Sequence, residues 1–246
     1  MFEALTAAKT RLDDLRPLPP ALLRNLHEDL VLRWTYHSNA IEGNTLTLQE
    51  TKVVLEGVTV GGKLLREHFE AINHREAITY VEGIVQNNEL LTEWHIRNIH
   101  QLVLKNIDDE NAGRYRTINV VISGAQHMPP DMLHVPQQMT DFVAWLGGDA
   151  QILHPVERAA RAHADLVKIH PFVDGNGRTA RLLMNLELLK SGYPAIILPV
   201  EQRLRYYVAL DDAHVRQNYI PFFELISECL EHSFATYWRA LGLDMP

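Results

Sequence analysis

A helix-like apolar run over residues 155–169 and a second over 178–190 are separated by His170-Pro171-Phe172-Val173-Asp174-Gly175-Asn176-Gly177. Pro155 stands where a first helical turn tolerates proline. The stretch closes on Arg178-Thr179-Ala180-Arg181. Whatever fold forms must carry an imidazole, a carboxylate, two glycines and two arginines at a junction between helices.

Helical periodicity runs through most of the chain. Residues 21–36 form an amphipathic run after the Pro17–Pro20 breaker. Thr47 with Glu50 reads as a capping box before Val53-Val54-Leu55, and Gly61-Gly62 as a turn. Runs at 65–86 and 92–105, the latter with Thr92 as N-cap, and at 137–147, 200–216 and 221–240 predict further helices. One segment differs. Ile118–Ile122 is rich in β-branched residues, ends in Ser123-Gly124 and is closed by Pro129-Pro130, which predicts a short hairpin or flap over 117–128. The expected fold is all-α, a helical bundle with a short β-hairpin flap. The N-terminal helices (1–115) and the part holding the polar loop (116–246) are expected to share one core.

Composition narrows the function. The 246 residues are 46% hydrophobic and 22% charged, as in an ordinary globular protein. A net charge of −8 argues against a nucleic-acid or anionic-membrane partner, which needs a basic face. The one cysteine, Cys229, lies in an amphipathic run and reads as buried and inert. Met1–Leu15 is charged and amphipathic, unlike a signal peptide, and no apolar run approaches the ~20 residues that span a bilayer. These features predict a cytoplasmic protein.

The polar junction has its own chemistry. A glycine-rich turn leading into a helix leaves backbone N–H groups unpaired, and with the helix dipole they attract phosphate. Arg178 and Arg181 are three apart and share a helix face, so two guanidinium forks can hold two phosphates. Asp174, just before the anion site, suits Mg²⁺, which takes one or two carboxylates plus substrate phosphates. His170 can act near neutral pH as a general base. A metal hydrolase built on His163, His170 and Asp174 leaves both arginines unexplained, and His163 reads better as a hydrogen-bonded core residue. No P-loop or Rossmann glycine string is present.

Residues 170–181 resemble the signature of the Fic family, His-x-Phe-x-(Asp/Glu)-Gly-Asn-Gly-Arg-x-x-Arg, at every fixed position. Gly113–Arg116, His127–Pro130, Leu153–Glu157 and Arg181–Asn185 add to the resemblance, which covers roughly residues 35–235. It points most to the family's chaperone-modifying member of the endoplasmic reticulum. That protein carries a membrane anchor and helical repeats, so a stand-alone bacterial relative is the expectation here.

The resemblance implies AMP transfer from Mg·ATP to a Ser, Thr or Tyr hydroxyl of a target protein. His170 would deprotonate that hydroxyl, and Asp174 would hold Mg²⁺. Asn176 and the amides near Gly175 and Gly177 would position the α-phosphate, while Arg178 and Arg181 would bind the outer phosphates. Ile122 and His127 would belong to a flap that aligns the target segment. Tyr206-Tyr207 fall where relatives line the adenine pocket, and Tyr207 is the residue assigned there. His214 replaces an asparagine of the chaperone-modifying relative, which bears on base selectivity.

Ser38-Asn39-Ala40-Ile41-Glu42-Gly43-Asn44 resembles the family's inhibitory motif, (Ser/Thr)-x-x-x-Glu-(Gly/Asn). The resemblance implies that Glu42 pairs with Arg181 and blocks the γ-phosphate, and that the same glutamate supports removal of AMP from the target. Many relatives dimerise, so a homodimer stands among the expected partners beside the protein target and self-modification. Two alternatives remain open: Fic-type transfer of another group (UMP, phosphate or phosphocholine), and a nucleotide-binding module without catalysis.

Overall fold

The computed structural model describes residues 1–244. Its α-helices are α1 (Glu3–Asp14), α2 (Pro20–Ile41), α3 (Leu48–Leu55), α4 (Leu65–Gln86), α5 (Glu93–Leu104), α6 (Val135–Gly147), α7 (Pro155–Ile169), α8 (Asn176–Lys190), α9 (Arg203–Arg216) and α10 (Ile220–Ala240). Several boundaries follow from local chemistry. The Thr47 side chain accepts from the Glu50 N–H, and the Glu50 side chain returns the bond, so the capping box opens α3. Thr92 caps α5 in the same way. Prolines fall in the first turns of α2, α6, α7 and α10, where the missing N–H has no helical partner to lose.

Other boundaries differ from the sequence expectation. The run expected to stop at residue 36 continues to Ile41 because no breaker intervenes before Gly43, whose φ of +100° ends it. The helix expected from 178 begins at Asn176, directly after Gly175 in the left-handed region. The run expected from 200 opens as a short 3-10 turn, Val200–Gln202, before α9. The amphipathic N-terminus forms α1, with Leu5 and Leu12 in the core.

The flap follows a hairpin-like path without a strand ladder among the described residues. Ile118 and Val121 are exposed while Val120 and Ile122 are only half-buried, so the β-branched run is poorly covered and pairs with no second strand. The bend is closed by Ala125 N–H to Ile122 O at 3.2 Å, with Gly124 at positive φ. Side chains hold the rest: Asp211 accepts from the Gln126 and His127 N–H groups, and Asn119 bonds Asp131.

Helix α8 is the centre of the molecule. It packs on α7 along one side and on α4 and α5 along another, and its residues are buried almost continuously from Asn176 to Leu188. One apolar cluster joins α1 and α5–α10, including Leu12, Ile96, Leu166, Phe172, Leu183 and Trp238. A second lies among α2, α4, α5 and α8, including Trp34, Ile78, Val103 and Leu186. The C-terminus of α2 is thereby brought against the N-terminal turn of α8, although they are far apart in sequence. Cys229 is buried, as its amphipathic setting predicts.

Candidate active site

The loop from His170 to Gly175 is shaped by its own side chains. His170 ends α7 in the left-handed region, at φ +50° and ψ +58°. Asn176 is turned inward: its Oδ1 accepts from the Phe172 N–H at 3.0 Å and its Nδ2 donates to Phe172 O at 2.9 Å. Its side chain therefore staples the loop instead of facing a phosphate. What the loop offers an anion is the start of α8, where no side chain caps the first N–H groups.

Gly175 has no alternative at its position. Its φ is +76°, and a Cβ there would lie 3.2 Å from the ring of His100. His100, on α5, stacks on Phe172 with centroids 3.6 Å apart and supports the loop from beneath. Gly113 N–H donates to its Nδ1 at 2.9 Å, so Nε2 carries the proton and donates to Asp174 O, also at 2.9 Å. Burial pushes His100 down to about 4, which keeps this tautomer neutral.

His170 is held as a neutral imidazole. Burial pushes its imidazole down to about 4, and nearby Arg116 acts in the same direction. Val167 O lies 3.3 Å from Nδ1, which places the proton there and leaves the Nε2 lone pair free. Arg116 fixes the backbone beside it. Its Nε donates to His170 O and its Nη1 to Ile118 O, both at 2.9 Å, and its Nη2 bonds Pro130 O. One buried guanidinium thus ties His170 to both ends of the flap. His127 adds a second tie, with its ring bonded to Lys168 O at 2.9 Å, while Ile122 is half-buried near the bend.

Arg181 is committed to α2. Nη2 donates to Glu42 Oε1 at 2.6 Å and to Ser38 O at 2.8 Å, Nε donates to Ser38 Oγ at 3.0 Å, and Nη1 reaches Tyr206 OH at 3.4 Å. Burial alone would lower its pKa, but Glu42 and Tyr206 outweigh burial and raise it. The Glu42 carboxylate lies against the first turn of α8 so closely that a Cβ on Gly177 would run into its Oε1. Glu42 thus sits over the glycine turn and on the arginine fork together.

Arg178 shares the helix but not these partners. It is 2% exposed, with Nη2 3.3 Å from Asp174 Oδ1 and Nη1 3.5 Å from Glu70 Oε1. Burial pushes the Asp174 carboxyl up, but Arg178, the Gly175 N–H and Arg66 outweigh it and hold the group below the usual carboxylate range. No group of three or more His, Cys, Asp or Glu suited to a metal occurs among the described residues. A single charged, half-exposed carboxylate beside an anion cradle suits Mg²⁺, which keeps waters and phosphate oxygens as its other ligands.

The geometry unites His170, Asp174, Gly175, Gly177, Arg181, Ser38 and Glu42 around one loop. Fic/DOC family sequences match residues 90–188, the segment that spans it. A Fic-domain signaling protein from Bacteroides thetaiotaomicron superposes with a TM-score of 0.90 at 31% identity, covering 97% of each chain. The chain belongs to the Fic/DOC family. It is 39% identical over 240 residues to the protein adenylyltransferase Fic of Nematostella vectensis, covering 96% of this chain and 56% of that protein. It is 40% identical over 229 residues to protein adenylyltransferase fic-1 of Caenorhabditis elegans, covering 89% and 43%. The fic-1 structure superposes with a TM-score of 0.86, covering 97% of this chain and 71% of that one. The chain therefore spans about half the length of the curated relatives it matches.

The remaining expectations fall nearby. Tyr207, on α9, is 40% exposed and its hydroxyl donates to Ile41 O at 3.3 Å, so it touches the end of α2. His214 bonds Ala164 O and meets His127 edge to face. His163 is fully buried and bonded to Tyr206 OH at 3.1 Å, a core histidine. Arg116, His100 and Arg66 also carry the loop, and no sequence signal marks them for it. Their partners are mostly backbone carbonyls and residues distant in the chain, which leave no spacing pattern. Among the described residues no helix is long and apolar enough to cross a membrane.

Proposed function

We propose that the chain is a protein adenylyltransferase held in an inhibited resting state by its own α2. The observation that carries this reading is the Glu42 carboxylate on Arg181, against the glycine turn, in the place an ATP phosphate would take. A site with a neutral imidazole at its edge, an anion cradle and a fixed arginine suits transfer of a phosphorus group to a hydroxyl.

His170 Nε2 takes the proton of a target Ser, Thr or Tyr hydroxyl. The oxygen attacks the α-phosphorus, the bond to the β-phosphate oxygen breaks, and pyrophosphate leaves. The N–H groups opening α8 face the charge that develops on the α-phosphate oxygens. Arg181, once free of Glu42, holds an outer phosphate. Asp174 would hold Mg²⁺, which supplies charge neutralisation of the polyphosphate. The flap, tied to His170 through Arg116, presents the target; its unpaired main-chain groups suit an extended segment.

Incubating the Glu42→Gly chain with ATP labelled at either the α- or the γ-phosphate tests this reading. Label from the α position should appear on protein, and His170→Ala on the same background should abolish it. Label from the γ position alone indicates a phosphotransferase. No label on protein from either supports a nucleotide-binding module.

A further inference from the structure

Asp174 is already occupied. Its Oδ2 accepts from Arg66 Nη2 at 2.8 Å, and its Oδ1 accepts from the Gly175 N–H at 2.6 Å and faces Arg178 Nη2 at 3.3 Å. The two arginines differ in origin and freedom. Arg178 is buried in the first turn of α8. Arg66 comes from the first turn of α4, and its side chain is 54% exposed. A second carboxylate steadies it: Nε donates to Glu70 Oε1 at 3.1 Å. Glu70 is fixed in turn, because its Oε2 accepts from Asn44 Nδ2 at 2.8 Å. Arg66 therefore bridges Glu70 and Asp174, and Glu70 connects the bridge to the residue two beyond Glu42.

We infer that Arg66 is a positioning residue that sets the affinity of Asp174 for a divalent cation. In the resting chain its guanidinium covers the carboxylate oxygen that the cation needs, just as Glu42 covers the arginine that a phosphate needs. The inference rests on the proposed reading of Asp174 as the metal-holding carboxylate. A cation arriving with nucleotide displaces Arg66 from Oδ2, and the exposed guanidinium turns to solvent while keeping Glu70. An ion pair this exposed has a modest effect, so its removal should tighten cation binding about fivefold.

The probe is Mn²⁺, followed by electron paramagnetic resonance in the full chain carrying Glu42→Gly and saturated with a non-hydrolysable ATP analogue. Arg66→Ala should lower the Mn²⁺ concentration at half-saturation about fivefold. Arg66→Lys, which keeps the charge and loses the fork, should fall between, and Asp174→Asn should remove the tight class of Mn²⁺. If Asp174→Asn removes that class but Arg66→Ala leaves half-saturation unchanged or raises it, the role given to Arg66 is wrong and the reading of Asp174 stands. If Asp174→Asn leaves Mn²⁺ binding intact, the reading of Asp174 fails and takes the inference with it.

Discussion

Truncating Glu42 to alanine isolates the contact proposed to hold the site shut. Glu42 Oε1 lies 2.6 Å from Arg181 Nη2, and the two side chains are 32% and 3% exposed. A hydrogen bond to a charged group is worth about 1.5–3 kcal/mol. The exposure of Glu42 screens the pair and lowers this to about 1–2 kcal/mol. Arg181 keeps Ser38 Oγ, Ser38 O and Tyr206 OH, so it is not left as a bare buried charge. Two linked outcomes follow. Without nucleotide, Glu42→Ala should lower the melting temperature by about 2–8 °C for a chain of this size. With a non-hydrolysable ATP analogue, the variant no longer spends binding energy on opening Glu42, and its affinity should tighten about five- to thirtyfold. Differential scanning fluorimetry reads the first and isothermal titration calorimetry the second. Equal melting and equal affinity in both chains would refute the idea that Glu42 competes for Arg181. A variant that melts lower but binds no tighter would reduce the pair to a structural contact.

Gly175→Ala should destabilise the chain by about 1–3 kcal/mol, because the position combines positive φ with a close approach to His100; unchanged thermal melting would contradict that account. Stability should also depend steeply on acid. His74, His100, His170 and His214 are pushed by burial from 6.5 to about 3, 4, 4 and 4, and buried His163 is pushed well below 6.5. Between about pH 6.5 and 4 the unfolded chain binds protons there that the folded chain does not. The stabilisation from these groups is complete above 6.5 and is lost as pH falls towards 4, by up to about 1.4 kcal/mol per pH unit for each histidine. A melting temperature that stays level from pH 7 to pH 4.5 would contradict the burial of these groups. The same depression of His170 predicts that kcat/KM for transfer by Glu42→Gly stays level through pH 6.5, whereas a fall centred there would mean that the base titrates as an ordinary histidine.

The sequence is most readable where the interactions are local. Thr47 with Glu50, Thr92, and Pro155 mark helix starts because a cap involves residues only a few positions apart. Helices α4 and α7 end where their apolar periodicity ends. The flap expected over 117–128 is present as a hairpin-like path without a ladder, because β-branched residues indicate a preference while a ladder needs a partner strand that Ile118–Ile122 do not have. The loop was legible in residue type but not in every orientation. Asn176 looks like a phosphate ligand in a row of letters, yet its side-chain amide closes on the Phe172 backbone through two hydrogen bonds. The contact between Glu42 and Arg181 joins residues 139 apart, so only likeness to a known motif could suggest it. Arg66, 108 residues from Asp174, had no such motif to reveal it.

Intact mass spectrometry of the purified chain after incubation with Mg·ATP tests the central claim most directly, because it reads the adduct without knowledge of the target. The account predicts that Glu42→Gly gains the mass of one or more AMP groups, that the parent chain gains far less, and that Glu42→Gly with His170→Ala gains none. An adduct of another mass, or the same AMP gain with and without Glu42, would contradict it.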